Sequence, residues 1–106
     1  MSASYRVSYS SQAARELSHL PRETQQRIRK AVDDLATGPR PPGCKKLEGE
    51  MYRIRVGSYR VIYSISDEAL FVLVLRIGHR GQNVYRALAE LKKRAQAAKP
   101  EKPKKR

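Results

Sequence analysis

Carboxylates are scarce in this chain. Of its 106 residues only 10 are Asp or Glu, against 23 Lys and Arg, a formal net charge of +13. That imbalance selects a polyanionic partner: nucleic acid, an acidic protein or an anionic membrane surface. Cysteine is nearly absent. The single Cys44 has no mate for an internal disulfide, which suits a reducing cytosol. No Cys/His/Asn arrangement surrounds it, so it reads as an ordinary loop thiol. With two histidines far apart, His19 and His79, and one cysteine, metal-ligand spacing is missing too, and neither metal nor cofactor is expected. There is no Gly-rich phosphate loop and no Ser/His/Asp pattern. No apolar run approaches the roughly 18 residues of a membrane-spanning helix. The first residues are polar, unlike a secretory signal. A cytoplasmic, non-membrane protein is the expectation.

The positive charge is spread along the chain. Residues 86–106 hold nine basic and two acidic residues, a net of +7, and the rest carries the other +6. A length of this order fits one domain with a modest core. The end, 99–106, alternates proline with charge and reads as a disordered basic tail on a single domain spanning 1–98.

Residues 5–9 alternate as a short strand. Ser10 or Ser11 can cap a helix to about His19, with Ala13, Ala14 and Leu17 on one face. Pro21 separates it from a second helix over 22–37, where Ile28, Ala31, Val32, Leu35 and Ala36 form a core-facing stripe before Gly38 and Pro39. After a loop at 40–44, Lys45 to Leu47 can add a short extended piece. Residues 51–56 and 59–66 form a hairpin about Gly57 and Ser58, a type II′ signal. A turn at Asp67 and Glu68 leads to an apolar strand over 69–77, buried on both faces, and Val84, Leu88, Leu91 and Ala95 mark a last helix over 82–97. The expectation is an α+β fold of order β-α-α-β-β-β-α. Its core is an antiparallel three-stranded sheet, with the first strand at its side and the helical hairpin on one face.

The hairpin carries the chemistry. If Gly57 and Ser58 are the loop, Tyr52, Ile54, Val56, Tyr59, Val61 and Tyr63 line the core face. Arg53, Arg55 and Arg60 then share the opposite face. Arg55 and Arg60 are placed directly across from each other, which is destabilising unless an anion is held between them. The third strand adds Arg76, Gly78 and Arg80 at one parity, and Tyr85 follows near the start of the last helix. A solvated charged face is the alternative, weakened by four arginines converging from three strand segments.

Over about residues 4–86 the sequence resembles the RelE/ParE superfamily of toxins from type II toxin–antitoxin modules. The resemblance rests on Tyr-Arg-Ile-Arg-Val-Gly-Ser-Tyr-Arg-Val-Ile-Tyr at 52–63 and Ile-Gly-His-Arg-Gly-Gln-Asn-Val-Tyr at 77–85. Ala13 to Leu17, Leu20 with Pro21, and Lys45 to Leu47 support it. It implies a metal-independent mRNA interferase acting in the ribosomal A site, where a ribose 2′-hydroxyl attacks the adjacent phosphate. By position the RelE site matches Arg53, Arg55, Arg60, Arg80 and Tyr85, and this full set favours the RelE-like branch. Lys45, Lys46 and Arg76 are expected as further RNA contacts.

ParE members share the fold and poison DNA gyrase, so a gyrase inhibitor is the second reading; a non-catalytic RNA-binding module is the third. The implied partners are a cognate antitoxin, the ribosome and mRNA, with the toxin–antitoxin complex binding its own promoter DNA. The antitoxin is expected near Val84, Leu88 and Leu91, unless that helix simply packs on the sheet. One departure stands out. Relatives often carry lysine at the hairpin-strand pair, where this chain has Arg53 and Arg55, and arginine does not deprotonate. A proton acceptor must come from elsewhere, and His79 and Tyr85 are the candidates, His79 slightly favoured.

Overall fold

A computed structural model describes residues 4–79 together with Lys93 and Ala95. The chain opens with β1 (Arg6–Tyr9), α1 (Ser11–Ser18) and α2 (Arg22–Asp33). A single 3-10 turn (Asp34–Ala36) follows, then β2 (Lys45–Lys46), β3 (Met51–Val56), β4 (Tyr59–Ser66) and β5 (Phe71–His79). Ser10 starts α1 as its N-cap: its Oγ accepts from the Ala13 amide at 3.1 Å and donates to the Leu75 carbonyl at 3.2 Å. One hydroxyl thus starts the helix and ties it to the sheet. The second helix is shorter than the 22–37 expected. It ends at Asp33 and tightens into the 3-10 turn, a common way to satisfy the last carbonyls before a Gly-Pro stop.

The five strands form one sheet in the order β1-β5-β4-β3-β2. The expected antiparallel core is present in β3, β4 and β5, with β2 extending it; β1 lies at its side, beside β5, and runs parallel to it from Arg6 opposite Phe71 to Tyr9 opposite Val74. Alternation in a sequence assigns a strand two faces but no direction, so the parallel edge was not legible. The β3–β4 register is the expected one, with Val56 opposite Tyr59, Arg55 opposite Arg60 and Ile54 opposite Val61. At the tip Gly57 has φ 61° while Ser58 does not enter the left-handed region, as a II′ turn requires.

The last strand is displaced by two residues from the expected 69–77. Residues 67–70 form the turn instead, closed by the Ala69 amide donating to Ser66 Oγ at 3.3 Å. Leu70 adopts φ 52° there. A bulge interrupts the β4–β5 ladder: Tyr63 faces Val74 but Ile62 faces Arg76, so Leu75 is the additional residue.

Two clusters sandwich the sheet. The larger packs Ala13, Leu17, Ile28, Val32 and Leu35 of the helical layer against Ile54, Val61, Tyr63, Val72, Val74 and Ile77. The smaller lies on the other face, where Met51, Ile62, Leu73 and Leu75 meet the helical residue Ala95. Apart from Lys93 and Ala95, the expected helix over 82–97 and the tail at 99–106 lie outside the described residues, as do Arg80 and Tyr85. No described helix is long and apolar enough to cross a membrane.

Candidate nucleic-acid interface

Strand alternation divides β3 and β4 cleanly. Ile54, Val61 and Tyr63 are buried beneath the helices, with Tyr52, Val56 and Tyr59 packed at the margin of the same core. Their neighbours in sequence, Arg53, Arg55 and Arg60, are turned to the opposite face. That face has two halves. Toward the far ends of the strands it is apolar, under Ala95. Toward the hairpin tip it is cationic.

The three arginines differ in burial. Arg53 is only 8 % exposed, Arg60 is half-buried and Arg55 is exposed. The Arg53 Nε is enclosed and meets no hydrogen-bond acceptor among the described residues. Neither Arg53 nor Arg55 forms an ion pair with a described residue. Burying a guanidinium is costly unless its charge is met, and a bound anion can meet it. Arg55 and Arg60 also line a small hollow with Gly57, Ser58 and Tyr59 at the tip. Fixed guanidinium groups around a hollow are suited to holding a phosphodiester and offsetting negative charge that develops on it.

The structure separates the other expected contacts. Lys45 stands opposite Arg53 and so joins the arginine face, whereas Lys46 stands opposite Tyr52 and faces the other way. Arg76 is engaged: its Nε donates to Glu16 Oε2 at 2.8 Å, while Glu16 Oε1 accepts from the Ile77 amide at 2.8 Å. His79 is in register with Tyr59, and Gly78 with Arg60. The imidazole therefore lies on the helical side of the sheet. It meets the Tyr59 ring edge-on at 5.0 Å, and its Nε2 is 3.5 Å from Ser58 Oγ.

Two features around the site escaped the sequence reading. One is a clamp on the Pro-rich loop. Arg40 spans Asp67 through two bonds, at 2.9 and 3.3 Å, and donates from Nε to the Tyr52 hydroxyl at 3.1 Å. Tyr5 donates to the same carboxylate at 2.6 Å. Arg40 and then Tyr5 hold the Asp67 carboxyl below the usual carboxylate range. Beneath the loop, Tyr63 donates to the Pro39 carbonyl at 2.7 Å, and burial raises its phenol. The parts of the clamp, Tyr5, Arg40, Tyr52, Tyr63 and Asp67, are spread over more than sixty residues, with no local pattern to join them. The other feature is a groove of about 610 Å³ between α2, the loop and β3, lined by Arg53, Ile54 and Arg55 along the strand and by Ala31, Asp34 and Pro41 across from it.

Comparison with known proteins places this geometry. Residues 7–84 match the family model described as the ParE toxin of the type II toxin–antitoxin system parDE. The toxin RelG of Mycobacterium tuberculosis is 36 % identical over 86 residues, covering 77 % of this chain and 97 % of RelG. Among solved structures, the archaeal RelE–RelB complex from Pyrococcus horikoshii aligns with a TM-score of 0.69 at 34 % identity, over 74 % of this chain and 98 % of that one. The RelBE2 toxin–antitoxin complex of M. tuberculosis aligns with a TM-score of 0.65 at 31 % identity, over 76 % of this chain and 95 % of its own. With the fold, the hairpin register and relatives of this similarity in agreement, the chain belongs to the RelE/ParE superfamily of type II toxin–antitoxin toxins, in its RelE-like branch.

Proposed function

We propose that the protein is a metal-independent endoribonuclease that cuts mRNA in the ribosomal A site and so halts translation in the cytoplasm. The observation that carries this reading is the pairing of Arg55 with Arg60 across the hairpin, beside a buried Arg53 on the same face. A sheet that tolerates this repulsion gains from an anion held there. In the reaction the ribose 2′-oxygen attacks the neighbouring phosphorus and gives up its proton to an acceptor. The bond to the 5′-oxygen breaks, and that oxygen leaves as a hydroxyl after taking up a proton. The other product ends in a 2′,3′-cyclic phosphate.

Arg53, Arg55 and Arg60 hold the phosphate and offset the charge of the transition state, with Arg80 as a fourth cation. Lys45 extends the same face, while Arg76, held by Glu16, supports the strand. His79 is set apart from the arginines by its register with Tyr59, which moves the expectation for the proton acceptor to Tyr85. The partner is a cognate antitoxin, as the similarity to RelE–RelB and RelBE2 complexes suggests. The toxin–antitoxin complex is expected to bind its own promoter DNA.

Controlled expression followed by 5′-end mapping of cellular mRNA tests the reading. Defined 5′-hydroxyl ends within translated codons support it; intact message refutes it. A second reading follows from the family model's ParE description, namely inhibition of DNA gyrase. Gyrase-trapped DNA breaks without message cleavage would establish that one instead.

A further inference from the structure

The groove between α2, the Pro-rich loop and β3 adjoins the arginine face, because Arg53 and Arg55 contribute to its lining. Its lining joins Arg53, Ile54 and Arg55 of β3 to Ala31, Asp34 and Pro41 of the helical layer and loop, so it runs along the edge of β3, past which the Arg53 and Arg55 side chains turn to the opposite face. At about 610 Å³ it lies within the range of small-molecule sites. A carboxylate next to a phosphate-binding set weakens the grip on an RNA backbone, a cost that selectivity for one part of the ligand offsets. Asp34 is also available. Its pairing with Lys30 is long, 3.7 Å, and both side chains are largely exposed, so the pair contributes little.

The edge of the sheet is open at the same place. β2 reaches only Tyr52 and Arg53. The Met51 carbonyl bonds outward to the Leu47 amide, and the same two-residue alternation turns the main chain of Arg55 outward, past the end of β2. The groove therefore offers a carboxylate that only accepts, main-chain polar groups at an open strand edge, and apolar proline surface on which a flat ring can lie.

We propose that this groove seats one nucleobase of the bound RNA, a base bearing an exocyclic amine, whose donor edge is read by Asp34 while an adjoining phosphate lies on Arg53 and Arg55. The proposal rests on the RNA reading given above and adds to it a basis for sequence preference. Cytosine, adenine and guanine each carry an amine that can donate to the carboxylate. Uracil presents a carbonyl oxygen where cytosine carries its amine and is disfavoured against a carboxylate at that position. Discrimination is sharpest between cytosine and uracil, rings of nearly equal size.

The test uses the full chain and two labelled RNA strands, hexacytidylate and hexauridylate, with affinities read by fluorescence anisotropy at low salt. Hexacytidylate is expected to bind about tenfold more tightly, the effect of one charge-assisted contact. Asp34→Asn should erase the difference, because an amide donates to a carbonyl as readily as it accepts from an amine. Arg55→Ala should weaken both strands in parallel. Equal affinities in the unaltered protein, or a cytidine preference that survives Asp34→Asn, overturns the groove assignment and leaves the nuclease reading standing. Failure to bind either strand also overturns the groove, and the 5′-end mapping decides separately whether the nuclease reading survives.

Discussion

Arg55 and Arg60 stand directly opposite one another on β3 and β4, while the pairs on either side of them, Ile54 with Val61 and Val56 with Tyr59, turn to the helical core. Like charges so placed oppose folding by a few tenths of a kcal/mol or more. Arg60→Ala removes the repulsion together with one anion contact. It should therefore relieve toxicity with thermal stability unchanged or slightly raised. A folded, normally expressed Arg60→Ala protein that still kills its host would show that the arginine face is not the working one.

Glu16 joins two elements that are distant in sequence, accepting from Arg76 with one oxygen and from the Ile77 amide with the other. Both partners lie on β5 beyond the reach of β1, which pairs only as far as Val74. Glu16→Ala should cost about 1–3 kcal/mol, since it leaves a strand amide and a partly buried guanidinium unsatisfied. Glu16→Gln keeps an acceptor for Ile77 and should cost less. Urea unfolding midpoints compare the two, and equal losses would mean the amide contact contributes nothing.

Acid should loosen the Pro-rich loop. Arg40, and after it Tyr5, hold the folded-state pKa of Asp67 below its ordinary value. Stability from a depressed carboxyl is fully present above the unfolded-state pKa, near 3.9 for an aspartate. It is lost as the pH falls through the lower, folded-state value. The unaltered protein should thus lose part of its stability below about pH 4 that Asp67→Asn never has. Denaturation midpoints for both proteins between pH 2 and 6 check this. Parallel curves would mean that the clamp has no energetic role.

The register of His79 with Tyr59, on the side of the sheet away from Arg60, bears on the proton acceptor. Single-turnover cleavage against pH should be nearly unaltered in His79→Ala. In Tyr85→Phe it should fall by about 10²-fold or more, the usual weight of a general base. An inflection near neutral pH that vanishes in His79→Ala would return the role to the histidine.

Much of this architecture was legible because the hairpin states its own register. Gly57 and Ser58 fix the loop, and six alternating apolar residues then leave Arg53, Arg55 and Arg60 only one face to occupy. The helices were legible from the Ala13–Leu17 and Ile28–Val32 spacings. Features made by residues far apart in sequence were not. The parallel pairing of β1 depends on where the chain re-enters the sheet, about sixty residues later. Arg76 reads as a free cation until Glu16, sixty residues earlier, is seen beside it. The groove needs α2, the loop and β3 brought together before Asp34 shares a lining with residues of β3.

The bulge at Leu75 makes β5 a strand with two phases. Before it, even-numbered Val72 and Val74 face the helical core; after it, odd-numbered Ile77 does, and Gly78 falls into register with Arg60. An alignment of relatives that slides by one position between Val74 and Gly78 would exchange every inward residue for an outward one without lowering the apparent similarity much. In this strand the spacing between residues carries as much information as their identity. A single-residue deletion there would turn the end of β5 over, which no substitution at one position can do.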